Sequence, residues 1–92
     1  MIVKCKPKEL KLLIKKGDKS KIDPNILQAV EDILTILDTG TCIDDFDLPG
    51  KRLHPYKEFT PFKWSLDVSG NVRILFTFEN QKVTITDFGD PH

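Results

Sequence analysis

The chain has 92 residues, 39% hydrophobic and 30% charged, a balance that excludes a disordered chain and leaves room for one domain with one core over residues 1–92. The formal net charge is zero, yet Lys4, Lys6, Lys8, Lys11, Lys15, Lys16, Lys19 and Lys21 precede an acidic stretch, residues 23–48, that has no Lys or Arg. A basic surface for a polyanion therefore stays open beside the plainer reading of two solvated helix faces.

In chain order, Ile2 to Cys5 reads as a short strand. Pro7 suits a first helical turn, and Leu10, Leu13 and Ile14 keep helical spacing until Gly17 ends the helix. Asp23-Pro24 reads as an N-cap and first helical residue. Ile26, Val30, Ile33 and Leu37, with Leu27 and Leu34, then form an apolar stripe that Thr39-Gly40 stops. TCIDDFDLPGK is loop-like, with Pro49-Gly50 as its turn.

From Trp64 the period changes to two. Trp64, Leu66 and Val68, then Val72, Ile74, Phe76 and Phe78, then Val83 and Ile85, alternate with polar residues around turns at 69–71 and 80–81. The expected fold is α+β: an N-terminal strand and two helices packed on one face of a twisted antiparallel sheet.

No apolar run approaches the roughly 18–20 residues that cross a bilayer. Lysines interrupt any signal-peptide core in MIVKCKPKELKLLIKKG, so no membrane contact and a cytoplasmic location are expected. Cys5 and Cys42, without CxxC spacing, read as buried thiols rather than a disulfide or metal pair. The DFG of TDFGDPH is not a kinase signature, because the chain is too short and lacks the Gly-rich loop, strand lysine and catalytic loop.

If Ile74 and Phe76 face the helices, Arg73 and Thr77 face away, onto an uncovered side of the sheet. His54-Pro55-Tyr56-Lys57, just before the meander, and Asp90 and His92 can converge on its rim. Histidine titrates near neutrality and serves as acid or base, a carboxylate is a base or orients an imidazole, and arginine and lysine hold phosphate. This is the set for cleaving RNA at the 2′-OH without metal or cofactor.

The run RLHPYK, the strand pair WSLDVSGNVRILFTF and the closing Asp-x-His resemble the HigB branch of the RelE/ParE toxins, as do LKLLIKKG and LDTGT. The resemblance implies a microbial-ribonuclease-like fold and a type II toxin that cleaves mRNA in the ribosomal A site. It also implies a HigA-like helix-turn-helix antitoxin as partner, with no sequence-specific DNA binding by the toxin itself. It assigns phosphate binding to Lys57 and Arg73, and proton transfer to His54, Asp90 and His92, without apportioning acid and base. The chain departs from the family pattern in four places: Tyr56 stands for leucine, Val72 for tryptophan, Pro91 for tyrosine, and the loop EFTPF (58–62) carries Glu58 and lacks the usual glycine and basic residues. Two alternatives stay open, an attenuated toxin that mainly binds its antitoxin and a gyrase-inhibiting relative.

Overall fold

Ile2–Cys5 forms strand β1, and the chain turns at Pro7 into helix α1 (Lys8–Lys16), whose Leu10 and Leu13 are buried. The computed structural model describes residues 1–58 and 62–89. Gly17 ends α1 with φ 65°, and the N–H groups of Gly17 and Asp18 return to the Leu13 and Leu12 carbonyls. Helix α2 (Leu27–Thr39) starts later than Asp23-Pro24 suggests. The Asp23 carboxylate accepts the Asn25 N–H at 2.9 Å and its carbonyl accepts that of Ile26 at 3.0 Å, so Asp23 closes a tight turn ahead of the helix.

Gly40, just past α2, has an ordinary φ of −69° and is required for space instead. A Cβ there would strike the Phe46 ring and lie 3.0 Å from the Ile36 carbonyl oxygen. Phe46 belongs to a short 3-10 helix (Ile43–Phe46) inside the segment expected to be loop. It is fully buried, edge-on to Phe76 and Phe78 at centroid distances of 5.6 and 5.1 Å. The Asp45 carboxylate accepts the N–H groups of Thr41 and Cys42, which hold its pKa below the usual carboxylate value and fix the turn under Gly40.

The other strands are β2 (His54–Tyr56), β3 (Lys63–Ser69), β4 (Val72–Glu79) and β5 (Lys82–Gly89), in the spatial order β1-β5-β4-β3-β2. The expected antiparallel sheet is mixed: β2 to β5 are antiparallel, but β1 lies parallel to β5 at its free edge. The helical excursion after β1 gives the chain the length a parallel neighbour needs. Between β4 and β5, Asn80 and Gln81 both take positive φ, 52° and 64°, the backbone of a two-residue hairpin turn.

Leu10, Leu13, Val30, Ile33 and Leu37 of the helices meet Leu66, Ile74, Phe76, Val83 and Ile85 of the sheet in one core. Both cysteines are free, but Cys5 is only half-buried and Cys42 is exposed, contrary to the expectation of buried thiols. Cys42 precedes the 3-10 helix, where only Phe46 turns fully inward.

Replacing Gly40 by Ala is expected to lower stability by about 1–3 kcal/mol, because Phe46 is locked among other rings and cannot yield. The change should appear in urea melts as a lower midpoint at unchanged slope.

Candidate functional site

Two added residues in the sheet decide which side chains share its helix-free face. The β3–β4 hairpin closes with Ser69 opposite Val72, a register that would set Val68 against Arg73 if continued. Instead Asp67 stands opposite Arg73 and Leu66 opposite Ile74. The irregularity brings the apolar residues of both strands onto the core side and leaves Asp67 and Arg73 together on the other.

In β5, Val83 and Ile85 face Phe78 and Phe76, but Asp87 and Phe88 face Leu75 and Ile74, so Thr86 is the extra residue. Phe88 thereby returns to the core and Asp87 turns outward. The Thr86 hydroxyl donates to the Leu75 carbonyl at 3.3 Å beside the bulge.

Strand β2 adds His54 opposite Ser65 and Tyr56 opposite Lys63. The face expected to be uncovered is therefore closed at its centre, where Ser65 is 0% and Leu75 4% exposed. Around that centre lies a charged network. The Arg73 Nε is 3.5 Å from Asp67 Oδ1, and Arg73 Nη1 donates to the Tyr56 hydroxyl. Arg52 Nε approaches the other Asp67 oxygen at 3.7 Å. The His54 and Tyr56 rings pack with centroids 5.1 Å apart.

Among the described residues, the buried side-chain nitrogen and oxygen atoms without a hydrogen-bond partner are Ser65 Oγ, Asp67 Oδ1 and Arg73 Nε. All three lie on this face, on adjacent strands. Asp67 Oδ1 and Arg73 Nε face each other at 3.5 Å as an ion pair without a well-formed hydrogen bond, which leaves Ser65 Oγ as the one of the three with no polar partner, where buried polar atoms are normally satisfied.

Of the residues singled out by sequence, His54 and Arg73 lie on the same face and are linked through Tyr56. Lys57 follows Tyr56 directly, with its side chain exposed. Asp90 and His92 lie outside the described residues, although β5 runs to Gly89, directly opposite Arg73. Sequence reasoning passed over Asp67, Ser65 and the hydroxyl of Tyr56. Asp67 was recoverable, since the polar phase of β3 must share a face with Arg73 once the apolar phases are aligned.

Farther along β5, the Lys63 ammonium donates to Asp87 Oδ2 at 2.9 Å, and the Thr86 hydroxyl donates to the same oxygen at 2.7 Å. Burial works against the charged carboxylate, but these hydrogen bonds and the charges of Lys63 and Lys6 prevail and hold the Asp87 pKa below its usual value.

A groove of about 520 Å³ lies elsewhere, between β1 and α1, lined by Lys4, Lys6, Lys11 and Lys15 with Val3 and Ile14. It realises part of the basic surface expected from the sequence. Its Cys5 thiol has a pKa pushed up by burial, with Lys11 only partly opposing, so it is a poor nucleophile at neutral pH. With no histidine or carboxylate in its lining, the groove lacks the acid–base groups that the β2–β4 face has.

The chain matches the family model of the RelE-like toxin of the type II toxin-antitoxin system HigB over residues 4–92. It is also similar to a protein of Proteus vulgaris named Endoribonuclease HigB, at 36% identity over 92 residues, covering 100% of both chains.

Since Asp87 has a depressed pKa in the fold, its contribution is complete above the unfolded carboxylate pKa and is lost as pH falls through the folded one. Asp87→Asn should therefore lower stability at pH 7, by about 0.5 kcal/mol given that the aspartate is half exposed. The difference from wild type should close in melts below about pH 3, where the wild-type carboxylate is protonated too.

Proposed function

Because the chain belongs to the HigB-like family of RelE-like toxins of type II toxin-antitoxin systems, we propose that it is an mRNA endoribonuclease acting on messages held in the ribosomal A site. The observation that carries this reading is the half-buried Arg73 guanidinium, on the same face of the sheet as His54 and the unpartnered Ser65 hydroxyl. A guanidinium held in a half-buried, water-poor setting suits a phosphate whose charge grows during reaction.

In the proposed reaction a base takes the proton of the ribose 2′-OH, and the 2′-oxygen attacks the adjacent phosphorus. The bond from phosphorus to the 5′-oxygen breaks, and an acid protonates that oxygen, leaving a 2′,3′-cyclic phosphate. Arg73 and Lys57 bind and neutralise the phosphate. His54, Asp90 and His92 share the two proton transfers. Side chains supply every group this scheme uses, and the need for a 2′-OH restricts it to RNA.

As a type II toxin it works against an antitoxin, here read as a HigA-like helix-turn-helix protein that carries the DNA recognition, and both act in the cytoplasm. Pro91 favours a second reading in which cleavage is weak and antitoxin binding is the main activity. Proline fixes its own backbone angle and constrains Asp90 before it, between two of the proposed proton-transfer groups.

Primer extension on mRNA from a cell-free translation reaction tests the proposal. Cuts are expected only with ribosomes present, reduced by about 100-fold or more in His54→Ala and Arg73→Ala. Well-folded wild-type protein that makes no cuts but binds its antitoxin would establish the second reading instead.

A further inference from the structure

We propose that Tyr56 and Asp67 are positioning residues that hold the Arg73 guanidinium in its phosphate-binding orientation before RNA arrives. This rests on reading Arg73 as the phosphate-binding group. It assigns work to two side chains that neither the sequence pattern nor the family match accounts for.

An arginine side chain has many rotamers, and orienting it only on binding would weaken the complex or slow the reaction. Here the guanidinium is fixed from two directions. Asp67, directly across the ladder on β3, faces the inner nitrogen, Nε, at 3.5 Å. Tyr56, reaching in from β2, accepts a hydrogen bond from the terminal nitrogen Nη1. An ion pair at one nitrogen and a hydrogen bond at another restrain the guanidinium from two sides. Of the five N–H donors in a guanidinium, those on Nη2 and the second on Nη1 are left for a ligand.

The charges fit this division of labour. The Asp67 side chain is 13% exposed and that of Arg73 27%, so a lone guanidinium here would bear a desolvation penalty that the carboxylate offsets. A carboxylate near a phosphate site would ordinarily repel the ligand. Asp67, however, is paired on both sides, with the Arg73 Nε at 3.5 Å from one oxygen and the Arg52 Nε at 3.7 Å from the other. The group of Arg52, Asp67 and Arg73 keeps a net charge of one positive unit. The Tyr56 ring also packs against His54, so one side chain touches both the phosphate-binding residue and the residue proposed for proton transfer.

Tyr56→Phe keeps the ring and its contact with His54 and removes only the hydroxyl. Asp67→Asn keeps the shape and removes the charge. Arg52 and Arg73 are the two arginines of the chain, so two Nε–H signals are expected by NMR, assigned with Arg52→Lys. In the wild type the Arg73 signal should be displaced from that of a free arginine and slow to exchange with water. Both variants should move it toward the free position and speed its exchange.

In ribosome-dependent cleavage, Tyr56→Phe should lower kcat about 10-fold with KM within about twofold. Asp67→Glu should recover part of what Asp67→Asn loses. The double variant Tyr56→Phe/Asp67→Asn should lose less than the product of the single losses, because both act through one group. An Arg73 signal unchanged in both variants would overturn the proposal. So would full cleavage in both variants while Arg73→Ala is inactive. If the wild type itself does not cleave, the endoribonuclease reading fails, and the Arg73 signal alone decides whether Tyr56 and Asp67 hold it.

Discussion

A β-strand cannot turn one side chain without turning its neighbours, and in β4 that constraint organises the molecule. Ile74 and Phe76 are fully buried under the helices, which commits Arg73 to the opposite face. The core therefore holds the arginine's backbone in place as firmly as it holds its own side chains. Among the described residues, the polar partners of the guanidinium come from the strand beside β4 and the strand beyond it: Asp67 from β3 and Tyr56 from β2. A site built this way inherits the stability of the sheet, whereas one assembled from loops would have to supply its own order.

Flanking strands meet the same constraint with bulges. Strict alternation along β5 would place Asp87 in line with Val83 and Ile85, beneath the helices, where a carboxylate has no partner. The extra residue at Thr86 reverses the phase, so that Phe88 enters the core and Asp87 meets Lys63 outside it. The irregularity before Ser69 does the same for Asp67 and Arg73. In both places, burying the apolar residues of two strands outweighs the loss of one regular ladder pairing.

These bulges also mark the limit of what the sequence discloses. Periods of two and of 3.6 located β1, both helices and the three long strands, and alternation alone put Arg73 on the helix-free face. Periodicity does not report register, so the pairing of Asp67 with Arg73 and the outward turn of Asp87 emerged only in three dimensions. Nor does it report a buried aromatic inside an acidic, loop-like run: Phe46 reaches the core because Asp45 ties the backbone of Thr41 and Cys42 and Gly40 leaves space for the ring. His54 was legible as chemistry but not as structure, since three residues containing a proline give little strand signal until β3 supplies the pairing. The hydroxyl of Tyr56 became visible only through its contact with Arg73.

In the proposed function the face around Arg73, and not the lysine-lined groove between β1 and α1, receives the RNA phosphate at the point of cleavage. The most direct measurement is a backbone and arginine side-chain NMR titration of the free protein with a short 2′-O-methyl RNA, which binds but cannot be cut. Salt-sensitive shifts centred on His54, Tyr56, Ser65 and Arg73 are the result expected from this geometry. Shifts confined to Lys4, Lys11 and Lys15, with the Arg73 signals unmoved, would contradict it.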